Sequence, residues 1–407
     1  MLPKRYTLIN KIFIYFFILF TTHLFNYANW NTTIAGWSSY FIYAYLVLFV
    51  YNNKNKICHI KSPVSKWIKF FIGIPMLCLI TRFVLEGVSP YAERSLIFSL
   101  LTFLFFYYFY IHHVSEKALV QIFTCIGTLI FIIQIVQQLF PSIAVFGIYN
   151  PDNETVNDAI AEIRNGLYRY RIIGISFTLL CLYYYWARIC NKIKFKDVIL
   201  FLMFWVSMYL FLTRQVMFAT LVTLTLSSFF ISNAKKRYAI LALTSILIIV
   251  LIIYSDLLFG DLISQTKEQA TDEDVRVLAL SFYWGKIIEN PLSFLLGNGH
   301  PDEFVFWQEN YHFFTSDIGF VGEMYHYGAL WIIFYLYVLY SLLVKYRKVV
   351  PFYIKLFLFG TAINSIMIFP YRSAYEYFVW ASILYICALH INKRYESTFL
   401  RTNSGHV

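Results

Sequence analysis

The sequence predicts an all-α fold, a polytopic integral membrane helix bundle of about 12 transmembrane helices, since about 20 apolar residues span a bilayer. Hydrophobic residues make up 59% of the 407 residues and charged residues only 14%, and the mean hydropathy is +0.61. A soluble domain carries about 25% charged residues because its surface must face water. The composition therefore excludes a soluble protein and predicts a single polytopic membrane domain over residues 1–407.

Apolar runs of suitable length recur along the whole chain. The first run has no small-residue cleavage site after it, so we interpret it as a retained span rather than a signal peptide. The six cysteines form no CxxC pair, which predicts neither a disulfide framework nor a zinc site. The apolar runs lie near residues 11–29, 33–51, 67–85, 95–111, 118–140, 171–188, 197–213, 215–232, 238–256, 319–343, 351–369 and 373–391.

Basic residues occupy alternate connections between these runs. Examples are KNKICHIKSPVSKWIK after the second run, NKIKFK after the sixth, AKKR after the eighth and KYRK after the tenth. Cytoplasmic loops carry such an excess of Lys and Arg, so both termini are predicted to be cytoplasmic. The long third and fifth loops, at 141–170 and 257–318, then lie outside. The excess of Lys and Arg in the predicted cytoplasmic loops explains the net charge of +11, so no nucleic-acid partner is predicted.

Arginine dominates the cations of the predicted outer side. Its planar guanidinium offers paired donors to phosphate or carboxylate and does not lose its charge by deprotonation. This pattern predicts an anion site at the outer face, with pairing to the outer acidic residues as the alternative. The outer arginines are Arg82, Arg94, Arg164, Arg169, Arg171, Arg214, Arg276 and Arg372.

The third outer loop begins with turn residues and continues as VNDAIAEIRNG, which we predict to be a short helix ended by Gly166. Arg164, Arg169 and Arg171 follow one another closely, just before the next span. At the membrane surface these three side chains could hold a pyrophosphate. Interfacial anchoring together with the neighbouring tyrosines is the alternative.

The fifth outer loop contains TDEDVRVLALSFYWGKIIENP, which predicts a helix capped by Thr271 or Asp272 and followed by Pro291. Acidic residues in a first helical turn complement the helix dipole, so we predict no metal there. One face of this helix is predicted to carry Arg276, Leu280, Tyr283 and Ile287.

After this helix come a Gly-rich turn, SFLLGNGH, and a segment that enters the tenth span. The turn bears His300 but lacks the preceding strand and the spacing of a nucleotide loop. His312 and Asp317 precede the span, and Glu323 and His326 lie within it. Ionisable residues inside a membrane are costly and tend to be functional, although a Glu and a His three residues apart could satisfy each other.

Arg214 stands between two apolar runs in MYLFLTRQVMFATLVTL, with hardly any loop around it. An arginine in such a position must find an anion, a carbonyl group or water. An anionic lipid headgroup is one partner that fits. A side chain that extends from a span end to the membrane surface is the alternative.

Together these features resemble the O-antigen polymerase and O-antigen ligase superfamily of bacterial envelopes. The resemblance rests on the LTR turn with Arg214, on a block from Arg276 to LLGNGH, and on a histidine-containing segment leading into SDIGFVGEMYHYGAL. It covers most of the chain. Ligases usually have a polar residue after the loop histidine, whereas Phe313 follows His312 here, which favours a polymerase.

The resemblance implies a metal-independent glycosyltransferase that needs no cofactor. Its substrate would be an undecaprenyl-pyrophosphate-linked oligosaccharide at the outer, periplasmic face of the bacterial cytoplasmic membrane. It would join repeat units into O-antigen, capsular or exopolysaccharide. Membrane lipids and, as an optional partner, a chain-length regulator would contact it.

The residues fit this chemistry. Breaking a glycosyl–pyrophosphate bond develops negative charge on the leaving phosphate, which preorganised arginines stabilise without a metal. We assign pyrophosphate binding to Arg214 and Arg276, with Arg171, Arg169 and Arg164 as further candidates. A histidine suits the base that activates the attacking hydroxyl. His312 is the predicted base, and His300 or Asp317 are substitutes.

Other classes of protein stay open from the sequence. An O-antigen ligase would transfer the glycan to an acceptor. A lipid-linked glycan flippase or transporter would need a charged central cavity and no large outer loop. Other polyprenyl-dependent glycosyltransferases place acids in a long first outer loop, whereas this one, NYANWNTT, is short and has none.

Overall fold

The computed structural model is mostly helical and contains one two-stranded β-hairpin. The helices and the hairpin strands are the elements from which the candidate site is built. The residues that it describes are 8–21, 32–87, 94–140, 161–164, 166–170, 174–231, 237–238, 240–242, 244–245, 275–299, 313, 315, 318–366 and 374–403.

The helices and strands of the described chain are numbered in chain order. The described chain also has 3-10 turns at Thr102–Leu104 and at Ser227–Phe230. The bounds are α1 Leu8–Thr21, α2 Thr32–Asn52, α3 Lys54–Cys58, α4 Pro63–Glu86, α5 Arg94–Leu101, α6 Phe105–Ile111, α7 Glu116–Leu139, β1 Ala161–Arg164, β2 Leu167–Tyr170, α8 Ile175–Asn191, α9 Phe195–Leu210, α10 Arg214–Leu226, α11 Val275–Ile288, α12 Pro291–Leu296, α13 Gly319–Tyr340, α14 Phe352–Asn364 and α15 Ala374–Asn403.

Four helical segments of the described chain are long and apolar enough to cross a membrane: Pro63–Leu85, Glu116–Leu139, Gly319–Lys345 and Ala374–Lys393. The protein is therefore embedded in a membrane, as the composition predicts. The total of about twelve spans and the sidedness of the loops stay predictions. Shorter apolar helices lie at Leu8–Leu19, Tyr40–Asn52, Ser99–Ile111, Gln215–Phe230 and Phe352–Asn364.

The last long helix, α15, lies at the centre of the bundle. It contacts α1, α4, α5, α6 and α8, and its side chains from Tyr377 to Ala388 are almost all inaccessible. Aromatic rings fill the space around it, for example Phe378 against Phe17 and Phe105. Large rigid rings bury much area for little lost freedom, which explains why so aromatic a sequence packs here.

Local sequence explains several helix ends. Pro63 stands in the first turn of α4, where its missing N–H costs nothing. Gly87 ends α4 with φ +68°, a conformation that glycine adopts without strain. The Ser115 hydroxyl accepts a hydrogen bond from the Ala118 amide at 3.2 Å and so caps α7.

The helix predicted over VNDAIAEIRNG is wrong where the structure describes it, because Ala161–Arg164 and Leu167–Tyr170 form a hairpin. Residues 156–160 lie outside the described residues. The hairpin strands pair in antiparallel register, with Ala161 opposite Tyr170 and Arg164 opposite Leu167. Two residues connect the strands, and Gly166 has φ +70°. An Asn-Gly pair favours such a two-residue turn because the turn needs positive φ. This local preference outweighs the helical pattern of the preceding residues.

Candidate functional site

The tenth predicted span, α13, is broken near its middle. Gly328 has φ +76° and ψ 177°, so the helix stops and restarts at this residue. A side chain at Gly328 would collide with the carbonyl of Leu295 in α12. The break therefore requires glycine for its backbone conformation and for the close approach of α12.

The loop after α12 satisfies the backbone groups that the break leaves open. We call Gly297, Asn298 and Gly299 the GNG loop. The Asn298 amide donates to the Tyr325 carbonyl at 2.6 Å, and the Gly299 amide donates to the His326 carbonyl at 3.0 Å. Interrupted helices are tolerated inside membranes only where the freed groups find such partners.

His326 lies next to the break and is 5% exposed. Its Nδ1 lies 2.8 Å from the Gly299 carbonyl oxygen, and its Nε2 lies 2.9 Å from the Thr315 hydroxyl. The Cys78 thiol of α4 donates to the His326 carbonyl at 3.4 Å. One histidine thus contacts three other segments of the chain.

Glu323 is also buried, at 2% exposure. The indole Nε1 of Trp331 donates to its carboxylate at 3.1 Å. This bond joins the two halves of the broken helix. Both nitrogens of the His326 ring have partners outside the helix. Glu323 and His326 therefore do not satisfy each other through a simple contact between residues three apart.

Two further polar groups, Arg82 and the Asn298 side chain, lie at the GNG loop. The guanidinium of Arg82, near the end of α4, lies so close to Gly299 that a side chain there would overlap it. Asn298 Nδ2 is buried and has no hydrogen-bond acceptor among the residues that the structure describes. Buried donors are normally paired, so Asn298 is a candidate to contact a ligand.

Arg276 is carried by α11, which packs against α13. Ala279, Tyr283 and Ile287 form the buried face of α11 and contact Ile318 and Tyr325. Leu280 follows Arg276 by four residues and precedes Tyr283 by three, so it lies on the predicted face, but it is 44% exposed. Ala279, next to it, supplies the buried position of this helix.

Tyr283 fixes α11 to the segment before α13. Its ring packs edge to face on Tyr325 with centroids 4.8 Å apart, and its hydroxyl donates to the Phe313 carbonyl at 3.0 Å. Burial, reinforced by Tyr325, raises the pKa of Tyr283 to about 12. The hydroxyl therefore stays protonated near neutral pH and keeps donating.

The hairpin is held on the end of α7. The Gln138 side chain accepts from the Tyr168 amide at 3.0 Å and donates to the Tyr168 carbonyl. One amide thus pairs with both backbone groups of a residue, as a neighbouring strand would. In the hairpin register, Arg169 stands opposite Glu162.

The LTR turn between α9 and α10 is as short as predicted. α9 ends at Leu210 and α10 begins at Arg214. Leu212 has φ +48° and is fully buried. Such a conformation costs a non-glycine residue about 1–3 kcal/mol and clusters at functional sites, which makes this turn a candidate for function.

The predicted site residues are described to different extents. Arg276 is placed with its side chain, Arg214 begins α10, and Arg164 and Arg169 belong to the hairpin strands. The structure thus brings the Arg276 helix to the broken span α13 and places the hairpin on α7. His300, His312, Asp317 and Arg171 lie outside the described residues.

Thr315 and Asn298 were not singled out by sequence reasoning, and Arg82 was one outer arginine among eight. The glycines of GNG and of HYGAL are the sequence signal that could have revealed the contact between this loop and the span.

Among the described residues, no group of three or more His, Cys, Asp and Glu could hold a metal ion. The acids 272–274 lie outside those residues.

A comparison of the chain with protein-family models, curated proteins and solved structures finds no match.

Proposed function

We propose that this protein polymerises undecaprenyl-pyrophosphate-linked oligosaccharide repeat units at the outer face of the bacterial cytoplasmic membrane. One observation carries the proposal. The Arg82 guanidinium of α4 lies against Gly299 of the GNG loop, which bonds to α13 beside its break, and the Arg276 helix α11 packs against the first half of α13. Cationic and polar groups from distant parts of the chain thus lie near the first half of a membrane helix.

The arrangement suits a lipid-linked pyrophosphate. Its two phosphates sit where the polyprenyl chain leaves the apolar core, so the cations that bind it should stand at span ends. Arg82 stands near the end of the candidate span Pro63–Leu85, and Arg276 stands in the helix α11 that packs against α13. The Asn298 side-chain amide, which has no acceptor among the described residues, is a further donor. Guanidinium groups bind phosphate oxygens through paired hydrogen bonds.

The reaction follows from this binding. A sugar hydroxyl of one lipid-linked unit attacks the anomeric carbon of another, the bond from that carbon to the pyrophosphate oxygen breaks, and undecaprenyl pyrophosphate leaves. The hydroxyl proton passes to a base, for which His312 is our candidate. The arginines stabilise the charge that develops on the leaving group.

Deletion of the gene tests the proposal by its product. Loss of a polymerase leaves a cell able to make, flip and attach one unit, so the surface glycan collapses to a single-unit band on a gel. Loss of a ligase leaves long polymer on the lipid carrier. Loss of a flippase traps single lipid-linked units inside. We expect the single-unit band, and either of the other results contradicts the assignment.

His312→Ala tests the predicted base in the same assay. A general base contributes about 10²–10⁴-fold to rate, enough to shorten the chains to one or a few units. The protein level in the membrane should stay normal. Chains of normal length in this variant would remove His312 from the mechanism and leave the polymerase assignment standing.

A further inference from the structure

His326 connects two loops that are separate in the sequence. Its Nδ1 bonds the Gly299 carbonyl at 2.8 Å, and its Nε2 bonds the Thr315 hydroxyl at 2.9 Å. Gly299 is the residue before His300, and Thr315 follows His312 by three. The two ends of the chain segment 300–314 are therefore held on opposite sides of one imidazole ring.

The Gly299 carbonyl determines the tautomer of the neutral ring. A backbone carbonyl oxygen only accepts hydrogen bonds, so Nδ1 must carry the proton that bonds Gly299. In the neutral ring Nε2 is then an acceptor, and the Thr315 hydroxyl donates to it. Each nitrogen thus has the role that its partner requires, and the neutral ring satisfies both loops at once.

The backbone that carries the His326 ring is held in place as well. The His326 carbonyl accepts from the Gly299 amide and from the Cys78 thiol, so Gly299 is bonded to both the backbone and the side chain of His326. The Gly322 Cα lies directly against the Thr315 carbonyl, where a side chain would collide. The loops therefore bind a fixed part of the broken helix.

We propose that His326 is a positioning residue for the transfer reaction: it joins the GNG loop and Thr315 to the broken span and so fixes both ends of the segment between them. The inference rests on the proposed function for its effect on catalysis. The bonds to Gly299 and Thr315 are independent of that function.

Four variants separate the two bonds. His326→Asn retains a donor near Nδ1 and so the bond to Gly299, whereas His326→Gln reaches the place of Nε2 and retains the bond to Thr315. Thr315→Ser keeps the hydroxyl and Thr315→Val removes it. The assay is polymerisation of lipid-linked repeat units by the purified full-length protein, with kcat and KM measured separately.

We expect a loss in kcat. A misplacement of about 1 Å lowers rates by up to about 100-fold, so His326→Leu should lose about 100-fold and the Asn, Gln and Thr315→Val variants about 10-fold. KM should change little, and Thr315→Ser should retain wild-type kcat. Equal losses in Thr315→Ser and Thr315→Val would overturn the proposal. Loss of the acidic limb of the pH–rate profile in all three His326 variants would make this residue the base instead.

Cys78 supplies a measurement that does not depend on activity. Its thiol is buried beneath the GNG loop and bonded to His326, so N-ethylmaleimide should label it slowly in a variant whose other five cysteines are replaced. Labelling should accelerate in His326→Leu and Thr315→Val and stay slow in Thr315→Ser. Unchanged labelling in His326→Leu would overturn the joining role. If the labelling changes but the wild-type protein makes no polymer, the proposed function fails and the joining role stands.

Discussion

Trp331 and Glu323 belong to the two halves of the broken helix and meet through one indole N–H. The Glu323 side chain is buried, so loss of the indole hydrogen bond leaves a buried acceptor with one partner fewer. Single side chains at this site therefore determine whether two pieces of backbone stay together.

Trp331→Phe removes the indole donor and keeps most of the ring. We expect it to lower the free energy of unfolding by about 1–3 kcal/mol, seen as a lower melting temperature of the protein in detergent. Trp205→Phe is the control, because Trp205 stacks on Phe201 outside the site. Equal shifts in both variants would show that the bond to Glu323 contributes nothing specific.

Arg214→Lys keeps the charge at the LTR turn and removes the bidentate fork. We expect polymerisation to fall strongly while the protein level stays normal, because one ammonium does not replace paired guanidinium bonds. Arg188→Lys is the matched control. Arg188 pairs with Asp197 at 3.1 Å, and Asp197 lies at the start of α9, whereas the LTR turn follows the end of that helix. Full activity of Arg214→Lys would reduce Arg214 to an anchor at the membrane surface.

At the scale of elements, the break in α13 depends on the absence of a side chain at Gly328. Gly328→Ala must abandon φ +76° and would collide with Leu295, so it should destabilise the protein by at least about 1–3 kcal/mol. A Cβ added at Gly285 in α11 would meet no described atom within 4 Å beyond the adjacent helix backbone, so Gly285→Ala should stabilise the protein by about 0.5–1 kcal/mol. Melting temperatures that move together would contradict this explanation of the break.

The hairpin depends on α7 through Gln138. Gln138→Leu removes both bonds to Tyr168, so we expect hydrogen exchange of the Tyr168 amide to become at least about 5-fold faster, since one lost bond is worth about 1 kcal/mol. Mass spectrometry of a peptide covering 167–170 measures the rate. Ile132→Ala, at an exposed position of α7, is the control. Unchanged exchange in Gln138→Leu would show that other contacts hold the hairpin.

The sequence predicts these elements unequally. Apolar length predicts the long helices, because a span needs little beyond about 20 apolar residues. Apolar length does not predict the break at Gly328, because the break depends on the approach of α12 from the preceding loop. The hairpin was missed because the Asn-Gly turn was interpreted as a helix end. The bonds of His326 join residues 27 and 11 positions away, beyond any local pattern.

For the whole molecule, the sidedness of the loops decides whether the chemistry is possible. Lipid-linked repeat units are polymerised outside in the proposed reaction, so both long loops must be external. Reporter fusions measure this directly. We expect cytoplasmic signals at Lys56, Lys194, Lys236 and Lys348, and external signals at Asn157 and Glu268. A cytoplasmic signal at Glu268 would contradict the proposed mechanism.

The most direct test of the polymerase assignment uses the purified full-length protein in lipid vesicles with undecaprenyl-pyrophosphate-linked repeat units as the only substrate. The proposed reaction predicts a ladder of longer lipid-linked glycans and release of one undecaprenyl pyrophosphate for each bond formed. It also predicts that chelation of divalent metals leaves the ladder intact. Movement of single units across the vesicle membrane without any ladder would contradict the assignment and identify a transporter.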